Sequence, residues 1–258
     1  MTTATLNLQT APGYKVLAAA GKTVLRPGGK QATQQLLQWA DFKPGATVLE
    51  LASGLGTSAI ALAKRYRVRV IGIENNPRHL ALAQAKVKAA GLSDRVQIRS
   101  GNVFALDEIA ETFDYIIAEA ILTMQSDVGK ANILRSVFDR LNPGGVFLSH
   151  EAIARHHQAA LHHDLAEVLR VNATPLSVED WIATFESTGF QVQQHQTGAM
   201  QLLNPAQVIQ DEGIFNTLQI VRNLLTQPQL RNRIFSIKQV FQQHQQDLGY
   251  IILSATKG

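Results

Sequence analysis

The feature that most constrains the fold is the segment from Val48 to Ala59, which reads VLELASGLGTSA. A short apolar strand ends in a carboxylate, runs into two glycines two residues apart, and continues into an alanine-rich helical pattern. Glycine is needed in such a turn because the chain reverses tightly and lets a ligand approach the backbone, which a Cβ atom would obstruct. The helix that follows presents unpaired N–H groups to that ligand. The segment therefore predicts a strand, a ligand-binding turn and a helix.

Two kinds of ligand are compatible with this turn. Residues 54–59 fit the pattern G-x-G-x-x-G/A, and Glu74 lies 20 residues after Gly54 at the end of a second apolar run. That pattern alone indicates a Rossmann dinucleotide site. Glu50, however, lies four residues before Gly54. A carboxylate there favours a cationic or amine-bearing cofactor over a pyrophosphate, which it would repel.

Three further segments resolve this choice by their order. They are a turn and strand from Gly91 to Asn102, a strand from Phe113 to Glu119, and a turn and strand from Leu141 to Leu148. Together with the E-x-A-x-G-x-G segment that begins at Glu50, they resemble the class I S-adenosylmethionine (SAM) methyltransferases. Ala52 stands where that family usually has glycine. A nicotinamide dehydrogenase would account for only the first two signals. The resemblance implies an enzyme that uses SAM and releases S-adenosyl-L-homocysteine.

Composition bounds the class of protein. The chain has 258 residues, 45% of them hydrophobic and 17% charged, which suits one sizeable α/β domain with additions. No apolar run approaches the roughly 18 residues of a membrane span, and residues 1–10 lack the pattern of a signal peptide, so we expect a cytoplasmic protein with no membrane partner. The absence of cysteine excludes disulfides, thiolate ligands and a cysteine nucleophile. The net charge of +4 comes from scattered basic residues, which makes nucleic acid an unlikely partner.

Strands alternate with helical patterns along most of the chain, which predicts an α/β fold with a Rossmann-like, doubly wound, seven-stranded sheet. The resemblance implies that the last strand, Tyr250 to Ala255, is antiparallel. We divide the chain into an N-terminal helical cap over the cofactor (1–43), a SAM-binding Rossmann-like domain (44–203), a helical insertion near the substrate mouth (204–247) and the final strand (248–258). The insertion alternatively buries its own apolar face or forms a homodimer contact.

The resemblance also implies a set of cofactor contacts. Glu74 is expected to accept both ribose hydroxyls, because a carboxylate is a bidentate acceptor. Asn102 stands where the family often has Asp, and its amide offers the adenine edge one acceptor and one donor. The expected residues are Glu50, Ala52, Ser53, Gly54 and Gly56 around the methionine part, Glu74 at the ribose, Asn75, Asn102, Val103 and Phe104 around the adenine, and Ala118 on the fourth strand.

Catalytic candidates are expected at the carboxyl ends of strands four and five, where an open α/β sheet binds its ligands. Glu119 ends the predicted fourth strand, and His150 and Glu151 end the predicted fifth. Each could deprotonate an acceptor or orient it. Alternatively, Glu119 is a carboxylate favoured by a helix N-terminus, and His150 is a structural histidine.

The chain lacks the Asn/Asp-Pro-Pro-aromatic motif with which amino-group nucleic-acid methyltransferases hold a base, since residues 118–121 read AEAI. We therefore expect methyl transfer to a small, partly apolar acceptor, loosely as in the quinone-biosynthesis methyltransferases. Tyr14 and Met124 are candidate walls of the acceptor pocket, with plain packing as the alternative. RNA or peptide methylation, and a non-catalytic SAM-binding regulatory module, remain open.

Four histidines raise the question of a metal site. His156, His157, His162 and His163 are predicted to fall in one helix. His156 and His163 would share a face but lie about 10 Å apart along the axis at 1.5 Å per residue, too far for one zinc ion. We expect a solvated polar face and no metal.

Overall fold

A seven-stranded mixed sheet lies at the centre of residues 7–258, the part of the chain that the computed structural model describes. Residues 1–6 of the predicted cap lie outside the described residues. The strands are β1 (Thr47–Leu51), β2 (Arg69–Glu74), β3 (Val96–Ser100), β4 (Phe113–Glu119), β5 (Leu141–Ala154), β6 (Phe190–Ala199) and β7 (Leu248–Lys257).

The strand order is β3-β2-β1-β4-β5-β7-β6, and β7 runs antiparallel to both of its neighbours. The predicted Rossmann-like sheet with an antiparallel last strand is therefore confirmed. The order reverses between β1 and β4, because β2 and β3 lie on one side of β1 while the later strands lie on the other. Open α/β sheets bind ligands at the carboxyl ends of the strands beside such a switch point.

Helices cover both faces of the sheet. The α-helices of the described residues are α1 (Gly13–Ala20), α2 (Gly29–Trp39), α3 (Thr57–Tyr66), α4 (Pro77–Ala89), α5 (Asp127–Arg140), α6 (Gln158–Leu169), α7 (Val178–Glu186), α8 (Pro205–Thr226) and α9 (Pro228–Gln243). Short 3₁₀ helices span Leu106–Glu108 and Leu122–Met124.

Successive side chains of β4 pack on opposite faces of the sheet. Ile116 packs in a core cluster with α5 and α7, whereas its neighbours Tyr115 and Ile117 pack in a second cluster with α2, α3 and α4. Successive side chains of a strand point to opposite faces, so a continuous apolar run can serve both layers. This double covering leaves the strand ends as the places where a site can open.

A third apolar cluster joins the two additions to the sheet. Val16 and Leu17 of α1 pack against Leu230, Ile234 and Ile237 of α9. The last three recur three or four residues apart along α9, and all are buried. The N-terminal segment and the insertion before β7 therefore share one core.

Two sequence-based boundaries are wrong. Helix α6 begins at Gln158, so His156 and His157 precede it, because His157 takes a left-handed φ of 51° that interrupts a helix. The fifth strand does not end at His150 and Glu151 but continues to Ala154. It does so because β7 pairs with it as far as Leu248 opposite Ala154.

The long helix α8 is kinked at Gly213, which has a φ of 76° and a ψ of 166°. Beyond the kink, α8 leaves Phe215, Leu218 and Leu225 exposed, at 90%, 61% and 68%. Within residues 7–258, no helix combines the length and the hydropathy that crossing a bilayer requires.

Candidate active site

The glycine turn between β1 and α3 contains three residues with positive φ. The angles are 51° at Ala52, 55° at Gly54 and 70° at Gly56. A Cβ atom on Gly54 would meet no atom of the described residues within 4 Å, whereas one on Gly56 would lie 3.2 Å from the Cβ of Ala83. The turn therefore needs glycine for its conformation, and at Gly54 it leaves open space at the protein surface.

A glycine that the sequence analysis did not single out supports this turn from below. Gly72 of β2 lies in register with Glu50 of β1. A Cβ atom there would lie 2.1 Å from Ser53 Oγ and 2.8 Å from Ile98 Cδ1. The available signal was a glycine inside an apolar strand, which often marks a close approach of backbone.

Glu74 fixes the far side of the turn. Its carboxylate is buried and accepts hydrogen bonds from the backbone N–H of Gly54 at 2.8 Å and of Asn76 at 2.7 Å. Each carboxylate oxygen has two lone pairs, so acceptor capacity remains for ribose hydroxyls. The predicted ribose-binding role fits this geometry and stays a prediction.

Glu50 is buried beneath the turn, and its Oε2 has no hydrogen-bond partner among the described residues. Burial raises the pKa of this carboxyl to about 8, and the nearby Glu119 carboxylate adds to the rise, while Arg26 opposes it. A buried acid without a partner is costly unless a ligand supplies one. The Glu50 carboxyl therefore fits a cofactor that brings a positively charged group to the turn.

The predicted adenine side lies after β2 and β3. Asn75 is exposed, and Phe104 is 51% exposed, so its ring is free to stack. Asn102 Oδ1 accepts from the backbone N–H of Phe104 at 3.0 Å. Val103 packs against the first core cluster, and Ala118 is fully buried on β4. These five assignments stay predictions.

Glu119, at the end of β4, is held by Arg26 from the segment before α2 and by Thr33 from α2 itself. Arg26 pairs with its carboxylate at 2.9 Å, and the Thr33 hydroxyl donates to it at 2.5 Å. Burial alone would raise the pKa of Glu119, but Arg26, His150 and Thr33 outweigh it and lower the pKa to about 2. Glu119 is therefore an ionised anchor for Arg26 at neutral pH.

His150 has both ring nitrogens engaged. Nε2 accepts from the backbone N–H of Gly28 at 3.0 Å, which requires that Nδ1 carry the proton and donate to Thr33 Oγ1 at 3.1 Å. Burial lowers the pKa of His150, and Glu119 opposes that change. The imidazole is thus neutral and links the N-terminal segment to β5.

Glu151 is also fully buried, and both of its carboxylate oxygens accept hydrogen bonds. Its carboxylate accepts from the backbone N–H groups of residues 121–123 and from the Thr123 hydroxyl at 2.6 Å. Burial raises the pKa of Glu151 to about 7, and these hydrogen bonds oppose the rise. The side chain fixes the loop that follows β4.

That loop borders an apolar pocket with a cavity volume of about 100 Å³. Ala120 begins the loop with a φ of 55°. Both predicted wall residues line the pocket, although they come from α1 and from the loop after β4. The lining includes Tyr14, Leu17, Ala120, Met124, Met200 and Phe241. The N-terminal segment, the loop after β4 and the insertion thus all contribute to the lining of one apolar pocket.

The structure brings most sequence-predicted site residues to the carboxyl ends of β1, β2 and β4. Arg26 and Thr33 were not predicted, although the RPGG turn at residues 26–29 was visible. Their partner Glu119 is 93 and 86 positions away, so no local pattern could have revealed the contact.

Sequence similarity relates this chain to known proteins. A family described as a methyltransferase domain matches residues 48–145. An uncharacterized protein from Haemophilus influenzae is 38% identical over 215 residues, which cover 83% of this chain and 85% of that protein. The erythromycin 3''-O-methyltransferase of Saccharopolyspora erythraea is 29% identical over 136 residues, 52% of this chain but only 42% of that enzyme.

Among solved structures, a SAM-dependent methyltransferase from Geobacter sulfurreducens in complex with S-adenosyl-L-homocysteine superposes with a TM-score of 0.72. The match covers 95% of this chain and 98% of that one at 18% sequence identity. At this identity the likeness concerns the fold.

Proposed function

The chain belongs to the class I SAM-dependent methyltransferases, and from this premise we propose that it transfers a methyl group to a small, partly apolar organic acceptor. The observation that carries the proposal is the apolar pocket beside the loop after β4, with Tyr14 and Met124 in its lining. Substrate sites are concave and mostly apolar, with few polar groups.

The residues around the turn fit the cofactor. Within residues 7–258, Glu50 Oε2 has no hydrogen-bond partner beneath Gly54. Glu74 retains acceptor capacity at the end of β2, and Phe104 offers an exposed ring. The bound cofactor would supply a methyl group activated by a sulfonium charge. A cationic centre near an unpartnered buried acid is electrostatically favourable.

Positioning is the main contribution we assign to the protein. Well-oriented bound reactants recover about 7 to 11 kcal/mol of a barrier in favourable cases. Glu119, His150 and Glu151, predicted as catalytic, enter the proposal as orienting residues, because their polar atoms are engaged with protein partners. An acceptor that must lose a proton would need a base, and Glu119, with a pKa of about 2, is a weak one.

The cofactor half of the proposal is tested by titration calorimetry with S-adenosyl-L-homocysteine and with nicotinamide dinucleotides. We expect a heat of binding with S-adenosyl-L-homocysteine and none with nicotinamide dinucleotides. Clear affinity for nicotinamide dinucleotides alone would overturn the proposal.

The acceptor half is tested with methyl-labelled SAM and separate pools of small metabolites, RNA and peptides. We expect label in the metabolite pool. Label in RNA or peptides would support those alternatives instead, and no transfer despite cofactor binding would support a non-catalytic SAM-binding module.

A pocket-filling variant connects the transfer to the pocket. Met200→Trp should remove labelled product while cofactor affinity changes less than about twofold, because only the acceptor space is filled. Leu225→Trp, at an exposed position on α8, is the matched control. Unchanged transfer by Met200→Trp would argue against this pocket as the acceptor site.

The homodimer stays a prediction. Analytical ultracentrifugation, which measures the mass of the protein in solution, tests it.

A further inference from the structure

Exposed large hydrophobic side chains are concentrated on α8. Of the eleven in residues 7–258, six belong to this one helix. Five of the six follow the kink at Gly213, and they are Ile214, Phe215, Leu218, Val221 and Leu225. Single exposed hydrophobic side chains are common on any protein surface, whereas a contiguous group marks a contact surface. The second half of α8 therefore differs from the rest of the described surface.

This half of α8 is apolar on the side that points away from the protein. Its inner side carries Ile220, which is buried, and Asn216 and Asn223, which bond to the end of α1. With 3.6 residues per turn, the opposite side of the helix holds a row of four residues, here called the α8 stripe: Ile214, Leu218, Val221 and Leu225. A surface helix ordinarily has polar side chains on its outer side. The α8 stripe therefore has the composition of a face that packs against a partner.

The spacing of the α8 stripe reads the same in both directions. Its members are four, three and four residues apart, which is the alternating spacing of a coiled-coil seam. When two such helices lie antiparallel across a two-fold axis, Leu218 of one copy faces Val221 of the other. Ile214 then faces Leu225 in the same way. The α8 stripe is therefore complementary to itself, as a two-fold dimer requires.

The exposed area is large enough for a dimer. Phe215 is 90% exposed beside the stripe, and Ile214 and Leu225 are each 68% exposed. Together with Leu218 and Val221, these residues expose roughly 600 Å², taking about 150 to 200 Å² for each fully exposed residue. Two copies would bury about 1,200 Å² in total, which reaches the size of specific protein interfaces.

Charge favours a second copy over other occupants. Between Gly213 and Leu230 the only charged side chain is Arg222. A helix that binds a membrane surface carries several lysines or arginines beside its apolar face, and a charged partner protein would need opposite charges here. Because the α8 stripe is itself uncharged, two copies of it can meet without repulsion between like charges.

We propose that the α8 stripe and Phe215 form the interface of a two-fold dimer, in which α8 of one copy packs antiparallel against α8 of a second copy. This interface rests on the homodimer predicted with the proposed function, but not on methyl transfer. Within the described part of the chain, no residue that lines the apolar pocket lies on α8. The dimer surface and the acceptor pocket are therefore separate sites.

Analytical ultracentrifugation of the whole chain tests the interface. We expect the wild type to sediment as two 28.2 kDa chains. Leu218→Glu should raise the dissociation constant of the dimer by at least about 100-fold, because it places an unpaired charge in an apolar seam. Val128→Glu, at a position on α5 that is 72% exposed, is the matched control and should leave the dimer intact. Leu225→Trp keeps the stripe apolar and should weaken the dimer by less than about tenfold.

A mixing experiment tests the antiparallel register. Leu218→Lys and Val221→Glu should each dissociate the dimer when alone. An equimolar mixture of the two variants should recover a heterodimer, because opposite charges then face each other across the axis. Circular dichroism checks that each variant is folded, which we expect because both positions are exposed. Dissociation without recovery in the mixture would overturn the antiparallel pairing.

Three other outcomes would overturn the interface as a whole. They are a wild-type protein that stays monomeric up to about 100 µM, a dimer that Leu218→Glu does not weaken, and monomers that bind vesicles of phosphatidylcholine and phosphatidylglycerol through Leu218. The last would assign the stripe to a membrane surface. Transfer of label from SAM is measured separately, so a failure of the dimer is distinguished from a failure of the proposed function.

Discussion

Ala52 has a backbone conformation that its own Cβ disfavours. Its φ is 51°, and it is exposed at the start of the glycine turn. The left-handed region costs a non-glycine residue roughly 1 to 2 kcal/mol. The resemblance had marked this position as one where the family usually has glycine, and the backbone angle gives the physical reason.

We therefore predict that Ala52→Gly stabilises the protein by about 1 kcal/mol, which raises Tm by roughly 2 to 4 °C for a domain of this size. Thermal unfolding measures it. Ala61→Gly, at an exposed position inside α3, is the matched control and should lose about 1 kcal/mol. A similar loss of stability in both variants would show that the backbone at Ala52 is not strained.

Glu50 should make stability depend on pH. Its pKa is 4.5 when unperturbed and about 8 in the folded protein, so the folded state holds this proton more tightly. The free energy of unfolding then falls as the pH rises from about 4.5 to 8, by about 1.4 kcal/mol for each unit of pKa difference at most.

Glu50→Gln removes this titration. We predict that it raises the free energy of unfolding over wild type more at pH 8 than at pH 5, measured by urea unfolding. Glu179→Gln, at an exposed position on α7, is the control for replacing a carboxylate by an amide. An equal offset for Glu50→Gln at both pH values would sink the prediction.

At the scale of elements, a feature could be predicted from the sequence when the residues that form it lie close together in the chain. The strand, glycine turn and helix from Val48 to Ala59 lie in one segment, and Glu74 follows at a fixed distance, so both were predictable. The end of β5 was not, because its last residues pair with β7 about 100 positions away. The contact between Arg26 and Glu119 could not be predicted either, because the two residues are 93 positions apart.

Gly72 offers a test of how β2 supports the turn. Gly72→Ala would bring a methyl group within 2.1 Å of Ser53 Oγ, so we predict a loss of about 1 to 3 kcal/mol in stability and weaker cofactor binding. Adding Ser53→Gly removes both the Oγ and the Cβ that clash, leaving only the flexible end of Ile98. The double variant should recover part of the stability in a double-mutant cycle. Additive losses would show that the turn and β2 are not coupled in this way.

At the scale of the whole molecule, the N-terminal segment and the insertion are joined by polar contacts as well as by their shared core. Asn216 and Asn223 of α8 donate to the carbonyls of Gly21 and Ala20 at 3.0 and 3.1 Å. Ala20 is the last residue of α1 and Gly21 is its C-cap, and carbonyls at a helix C-terminus lack helical partners. The apolar pocket thus has two walls that belong to one unit built from both ends of the chain.

Glu212 of α8 also bonds to the N-terminal segment. Its carboxylate accepts from the backbone N–H groups of Thr23 and Val24 at 2.9 and 3.0 Å and from the Thr23 hydroxyl at 2.7 Å. It also lies 3.6 Å from the buried ammonium of Lys22. The carboxylate receives several donors at once, whereas an amide would turn a donor of its own toward one of them.

We predict that Glu212→Gln speeds hydrogen exchange by about 10- to 100-fold in residues 13–30 and also in residues 205–226, since hydrogen bonds to charged groups are worth roughly 1.5 to 3 kcal/mol. Exchange in β1 and β4 should stay unchanged, because the core beneath the turn does not depend on this contact. Mass spectrometry of exchanged peptides measures it, with Glu179→Gln as the control. Faster exchange in only one of the two segments would mean that they open separately, which would contradict the prediction.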